Sequence, residues 1–163
     1  MRRTLLLAVL ILALVAPTCQ EATSVRPAGT YGDVRVSEIV SVYDGDTFKV
    51  NIDCFPPIVG EKISIRVFGI DCPEIFGKTQ YERDLAVKAK LFATAMLLGA
   101  DEVVLCNMRR DKYFRILAMV ECDGIDLAAA LVAVGYAKPY FGGERPEWKR
   151  VVVKPKKGMK EKA

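Results

Sequence analysis

The chain contains no histidine at all. That absence removes the Ser, His and Asp triad, two-histidine phosphodiester cleavage and every His-ligated zinc site. Its five cysteines include no C-x-x-C pair, so a thiolate zinc site lacks its usual ligand spacing. No internal repeat or low-complexity linker interrupts the sequence, and its one long apolar run, residues 5–16, is too short to cross a bilayer comfortably. What remains is 163 residues, 52% of them hydrophobic, which suits one compact domain with an ordinary core and excludes a disordered chain. Any catalysis must come from carboxylates, Arg, Lys, Tyr, Cys or a metal held by oxygen.

The charge is unevenly placed. Lys and Arg number 24 and Asp and Glu 20, a net of +4. Residues 149–163 hold seven of those cations against the single acid Glu161, so the preceding residues sum to 17 minus 19, or −2. The basic balance belongs to a tail, which reads as a flexible, solvated end with some capacity for nonspecific contact with nucleic acid or anionic lipid. At the other end, Met1-Arg2-Arg3, the apolar run and Pro17-Thr18-Cys19-Gln20 have the layout of a secretory signal peptide over residues 1–22. Cleavage after Thr18 or after Ala22 fits equally. Export is therefore expected, with a lipoprotein at Cys19 or an uncleaved, leader-anchored form as lesser alternatives; no stable membrane insertion is expected once the leader is gone.

Between these ends, stretches rich in Val, Ile, Phe and Tyr predict strands over 34–43, 47–55, 61–70, 102–108 and 113–122. Asp44-Gly45, Pro56-Pro57 with Gly60, and Asp123-Gly124 supply turns. Tyr81, Leu85, Ala89, Phe92 and Met96 recur at helical spacing, Thr79 to Glu82 has the form of a capping box, and Gly99 is a natural terminator. A short apolar helix over 127–134 follows Asp126 as its cap. The order is that of a five-stranded OB-fold barrel with two to three helices (α+β), one domain spanning 34–148.

Three polar clusters sit at or inside these strands. In Tyr43-Asp44-Gly45-Asp46-Thr47, local turn bonding accounts for Asp44, but Asp46 shares the parity of Phe48, Val50 and Ile52 and should face the barrel interior. In the run from Arg66 to Asp71-Cys72-Pro73-Glu74, a cation lies within a strand and two carboxylates lie at and beyond its end. Asp46 and Asp71 are placed to converge on one hard cation with water in its shell. In Asp111-Lys112-Tyr113-Phe114-Arg115, parity sets Arg115 among Leu117 and Met119, a costly place for a guanidinium unless an anion meets it. One oxygen-rich cation site, two arginines and the spare carboxylate of Glu74 form a kit for phosphodiester hydrolysis. The bland alternative is a binding domain with scattered surface charge.

These three clusters, in this order and with these separations, closely resemble the staphylococcal nuclease (thermonuclease) family, and the likeness extends loosely through the helix over 127–134. The resemblance implies a calcium-dependent endonuclease on DNA and RNA that leaves 3′-phosphate ends and works as a monomer without an obligate protein partner. Carried over position by position, it makes Asp46 and Asp71 calcium carboxylates with the backbone carbonyl of Cys72 as a further ligand. Glu74 becomes the water-orienting or general-base residue, and Arg66 and Arg115 the pair that clamps phosphate. Asp44 and Thr47 would support the ligand turn, Lys112 and Tyr113 would contact a flanking phosphate, and Tyr140 would help to stack a base. A nuclease-like OB module that binds nucleic acid or a protein without cutting is the alternative. The chain departs from the family at Cys72, where Thr is common, and at Phe114, where Gly is favoured, so the loop before Arg115 is expected to differ and the groove to be narrower; the family's final helix, the third expected here, is shortened to 146–152. Cys54, Cys72, Cys106 and Cys122 allow three ways to pair all four, and a single structural disulfide or free thiols packed as small apolar residues are equally open.

Overall fold

A computed structural model of the chain describes residues 28–111 and 113–149. The expected leader, Lys112 and the tail from residue 150 onward lie outside the described residues. Short alternating segments build the sheet: β1 (Val34–Arg35), β2 (Glu38–Val42), β3 (Thr47–Asn51), β4 (Ile63–Val67), β6 (Val103–Arg110), β7 (Ile116–Cys122) and β8 (Ile125–Asp126). The strands lie in the order β1-β6-β7-β4-β3-β2, with β8 on the edge of β7. β2, β3 and β4 form the expected antiparallel meander, whereas β4 and β7 run parallel. A parallel pair needs a long crossover. Here it contains the 20-residue helix α2 (Gln80–Gly99), preceded by the one-turn helix α1 (Pro57–Gly60) in an earlier connection and followed by α3 (Leu127–Ala133). The curled mixed sheet with three helices is an OB-type α+β fold. Its inner face packs Phe48, Val50, Ile65, Leu105 and Val120 against Ala89, Ala93 and Leu97 of α2 and Leu127 and Leu131 of α3.

Several expected boundaries shift for identifiable reasons. The first strand breaks in two because its backbone changes partner: Val36 N–H donates to the Val103 carbonyl at 2.9 Å, and Ser37 N–H donates to the Asn51 carbonyl at 2.9 Å. The third stops at Val67, since Gly69 turns the chain with φ 83°, and the residues beyond it form β5 (Ile70–Asp71), paired with β9 (Lys138–Pro139). The last long strand begins at Ile116 rather than 113. Asp111 N–H donates to the Arg115 carbonyl at 2.9 Å, closing a tight turn in which Phe114 takes φ 65°.

Helix α2 starts where expected, with the Thr79 hydroxyl accepting from Glu82 N–H at 3.1 Å; Glu82 reaches back to Lys78 N–H at 3.0 Å rather than to Thr79. Its most buried stripe is Ala86, Ala89, Ala93 and Leu97, one position round from the larger residues that mark the helix in the sequence. Small residues let the helix approach closely, and Phe92 and Met96 pack along its flank. Asp126 caps α3 through Ala128 and Ala129 N–H, as expected. The described part of the expected third helix, 146–149, is not helical, and the rest lies outside the described residues. Of the open cysteine readings, complete pairing of the four does not occur: Cys72, Cys106 and Cys122 are free, and Cys54 alone of that set is disulfide-bonded.

Candidate active site

The turn between β2 and β3, the β4–β5 bend, the turn before β7 and the chain after β9 meet around one open cleft of about 740 Å³. The register explains the convergence. Thr47 lies directly opposite Arg66 on β4, and Arg66 lies opposite Leu117 on β7. The Asp44–Thr47 turn is thus pinned beside the end of β4, reinforced by Val67 N–H donating to the Asp46 carbonyl at 2.8 Å. Gly45 is required at that turn because a Cβ there would lie 2.7 Å from Cys72 Sγ and 2.9 Å from the Ala89 Cβ. Glycine admits the backbone where no side chain fits.

Among the described residues, Asp46 and Asp71 are the two buried charged ones, 3% and 2% exposed. Asp46 Oδ2 accepts from Cys72 N–H at 2.6 Å, and its Oδ1 accepts from the Thr47 hydroxyl at 3.0 Å and faces the Arg66 guanidinium. Arg66 Nη2 also donates to Asp71 Oδ1 at 3.2 Å and to the Ile70 carbonyl at 3.1 Å. One guanidinium therefore bridges both buried carboxylates, which offsets part of the cost of removing those charges from water. Burial pulls Arg66 below the usual arginine range, opposed chiefly by Asp71 and Asp44.

Asp44 accepts from Asp46 N–H at 3.0 Å, and burial pushes its carboxyl up to about 6 against the pull of Arg66 and Thr47. Burial likewise pushes the Cys72 thiol up to about 12, which leaves it protonated and a poor nucleophile.

Most residues expected from the sequence lie around this cleft: Asp44, Asp46, Thr47, Arg66, Asp71, Glu74, Tyr113, Arg115 and Tyr140 line it, and Cys72 packs beneath. Lys112 lies outside the described residues. Arg115 differs from its expected setting. It precedes β7 instead of lying within it, and it donates from Nε at 2.8 Å and Nη2 at 2.6 Å to Asp111 Oδ2, so a local carboxylate supplies the anion that its position demands. The groove is not narrowed by Phe114, which is 83% exposed beneath the Arg110 guanidinium and outside the cleft lining.

One participant lies outside the set that the sequence marks. Arg145, 74 residues from Asp71 in sequence, donates to Asp71 Oδ1 from Nη2 at 2.7 Å and from Nε at 3.2 Å, and its Nη1 bonds Glu74 Oε1. Burial disfavours its charge, but the bonds to Asp71 and Glu74 outweigh that and hold it above the usual arginine range. The only local signal is Gly142-Gly143-Glu144-Arg145, a turn-forming pair leading into a charge.

Among the described residues, no three His, Cys, Asp or Glu side chains form a ready-made metal cage. The two buried carboxylates nonetheless fit a hard cation, which accepts a few carboxylate oxygens and completes its shell with backbone oxygen and water. Calcium is such an ion; zinc, which favours imidazole and thiolate, is not matched here.

Fold and site together define an OB-type domain whose acidic centre is framed by arginines. The chain belongs to the family of staphylococcal nuclease homologues, which matches residues 64–158. It is also similar to an uncharacterised protein of Bacillus anthracis, 28% identical over 101 residues covering 61% of this chain and 44% of that protein. A second similar protein, uncharacterised, from Methanocaldococcus jannaschii, is 28% identical over 127 residues covering 64% of this chain and 58% of its own. The chain thus spans about half the length of these curated relatives.

Proposed function

We propose that this protein is an exported, calcium-dependent endonuclease that hydrolyses DNA and RNA and leaves 3′-phosphate ends. The observation that carries the reading is the meeting of buried Asp46 and Asp71 with Arg66 and Glu74 in one solvent-open cleft. Asp46, Asp71 and the Cys72 carbonyl would hold calcium, with Asp44 and Thr47 fixing the ligand turn; when bound, the ion polarises the phosphate and offsets its charge. Glu74, with its side chain 44% exposed at the cleft, orients and deprotonates the attacking water. Arg66 and Arg115 receive the charge that develops on the phosphate oxygens. Tyr140 lines the cleft and would offer its face to a base, while Tyr113, whose ring lies 5.5 Å from the Arg115 guanidinium, would contact a flanking phosphate together with Lys112.

Calcium-dependent digestion of single-stranded DNA, abolished by chelator, tests this directly. Glu74→Gln should lower turnover by about two to four powers of ten, and Arg66→Ala by about two to three. Full activity in a Glu74→Ala, Arg115→Ala double variant would sink the mechanism. One observation favours a non-cleaving module instead: Arg115 is occupied by Asp111 and Arg66 by Asp46 and Asp71, so neither stands free for phosphate. Gel retardation without cleavage in saturating calcium would establish that alternative.

A further inference from the structure

The chain after β9 is built to bring one arginine back to the acidic centre. Pro139 and Lys138 pair with Ile70 and Asp71, and Tyr140 N–H donates to the Gly69 carbonyl at 2.8 Å, anchoring the segment at its start. At its end Trp148 is buried to 9% exposure, with Lys138 Nζ 4.6 Å from its ring centroid and donating to the Glu147 carbonyl at 2.7 Å. Between these anchors Gly142 and Gly143 take φ of 107° and 95°, which glycine adopts freely, and the Tyr140 hydroxyl donates to the Gly143 carbonyl at 2.9 Å. Arg145 is carried inward by this strap. An exposed ion pair of low worth would meet its partner in solvent, whereas the Asp71 side chain is only 3% exposed and receives Arg145 through two nitrogens.

The charges in direct contact make the arrangement informative. Asp46, Asp71 and Glu74 carry three negative charges against the two positive charges of Arg66 and Arg145. A dication added to that set turns a net −1 into +1, and one phosphodiester returns it to zero. The Arg145 side chain is 51% exposed, so it can leave the carboxylates without carrying a buried charge through the protein. Asp71 Oδ1, which already accepts from Arg66, would become available as a ligand atom when it does.

Resting on the calcium-dependent reading above, we propose that Arg145 is a third phosphate-binding arginine, stored on Asp71 and Glu74 until a hard dication takes Asp71. The stored guanidinium competes with the metal and is handed to the substrate phosphate once the metal is in place. Metal and nucleic acid thereby favour each other's binding through one side chain.

The test uses the full chain and Arg145→Ala, Arg145→Gln and Arg145→Lys variants, with folding checked by thermal unfolding. Calorimetric titration with calcium alone should show about five- to ten-fold tighter binding in the Ala and Gln variants and little change in the Lys variant, because loss of one nearby cation is what the metal senses. In saturating calcium, the Ala and Gln variants should bind a labelled phosphorothioate single-stranded DNA about ten-fold more weakly, as expected for a lost charge-assisted phosphate contact, with no such loss in chelator. Calcium binding that is unchanged or weaker in Arg145→Ala overturns the proposal, as does unchanged DNA affinity in calcium. If the wild-type chain takes up no calcium, the metal-dependent reading itself fails, and this inference with it.

Discussion

At the scale of single residues, two side chains sit in states that their surroundings oppose. Phe114 has φ 65°, a left-handed conformation in which a Cβ costs roughly 1–2 kcal/mol. The staphylococcal nuclease pattern favours glycine there, and the φ supplies the reason. The compensating contact, Arg110 over the Phe114 ring at 4.7 Å, is at the surface and offsets only part of that cost. Phe114→Gly should therefore raise stability by roughly 0.5–1 kcal/mol in chemical denaturation; a loss of stability would mean that the stacked arginine contributes more than the backbone strain costs. Asp44 is the second case. Burial raises its folded value to about 6 from 3.8, so the fold favours the protonated carboxyl. The associated stability is fully present below about pH 4 and is lost as the pH rises through about 6. Measured in chelator, the melting temperature of wild type minus that of Asp44→Asn should fall by about 5–10 °C between pH 4 and pH 7. A difference that stays flat, or that rises with pH, would show that burial does not govern this carboxyl.

At the scale of elements, the strap from Tyr140 to Trp148 depends on its terminal anchor. Trp148 is the single tryptophan, buried beside Lys138 of β9. Trp148→Ala should cost about 2–3 kcal/mol, less than a fully enclosed aromatic because the site is at the edge of the core. It should also speed amide exchange at Tyr140, whose N–H bonds Gly69, while exchange in α2 keeps pace only with the global loss of stability. Uniform acceleration across both elements would show that the strap unfolds only with the whole domain. The same segment marks the limit of what the sequence discloses. Asp46 is legible because its parity matches Phe48 and Val50, and α2 and α3 are legible because periodicity and caps agree. Arg145 is not, since no periodicity runs through Phe141-Gly142-Gly143-Glu144-Arg145 and its contacts with Asp71 and Glu74 span 74 and 71 residues. The pairing of Arg115 with Asp111 is hidden for a different reason. Arg115 follows a turn that Phe114 and the Asp111 hydrogen bond create, and strand parity has no meaning there.

At the scale of the whole molecule, charge is separated along the chain rather than spread over its surface. The residues before 149 sum to −2, so under the proposed function a polyanion would meet a domain that is slightly acidic as a whole, and the cleft arginines would have to supply the local attraction. Residues 150–163 supply six further cations against one acid. If only Arg66, Arg115 and Arg145 displaced counterions, log affinity for single-stranded DNA would fall with log salt at a slope of about −2. A tail that also engages the backbone makes the slope steeper without changing the chemistry, because it adds attraction common to every state of the substrate. Replacing Lys154, Lys156, Lys157 and Lys160 by Gln in the full chain should therefore flatten the salt slope by about 1–3. The same variant should raise KM and leave kcat unchanged, the pattern of lost uniform binding. A flattened slope with reduced kcat would instead mean that the tail reaches the cleft and takes part in the reaction, and an unaltered slope would confine nucleic-acid affinity to the cleft arginines.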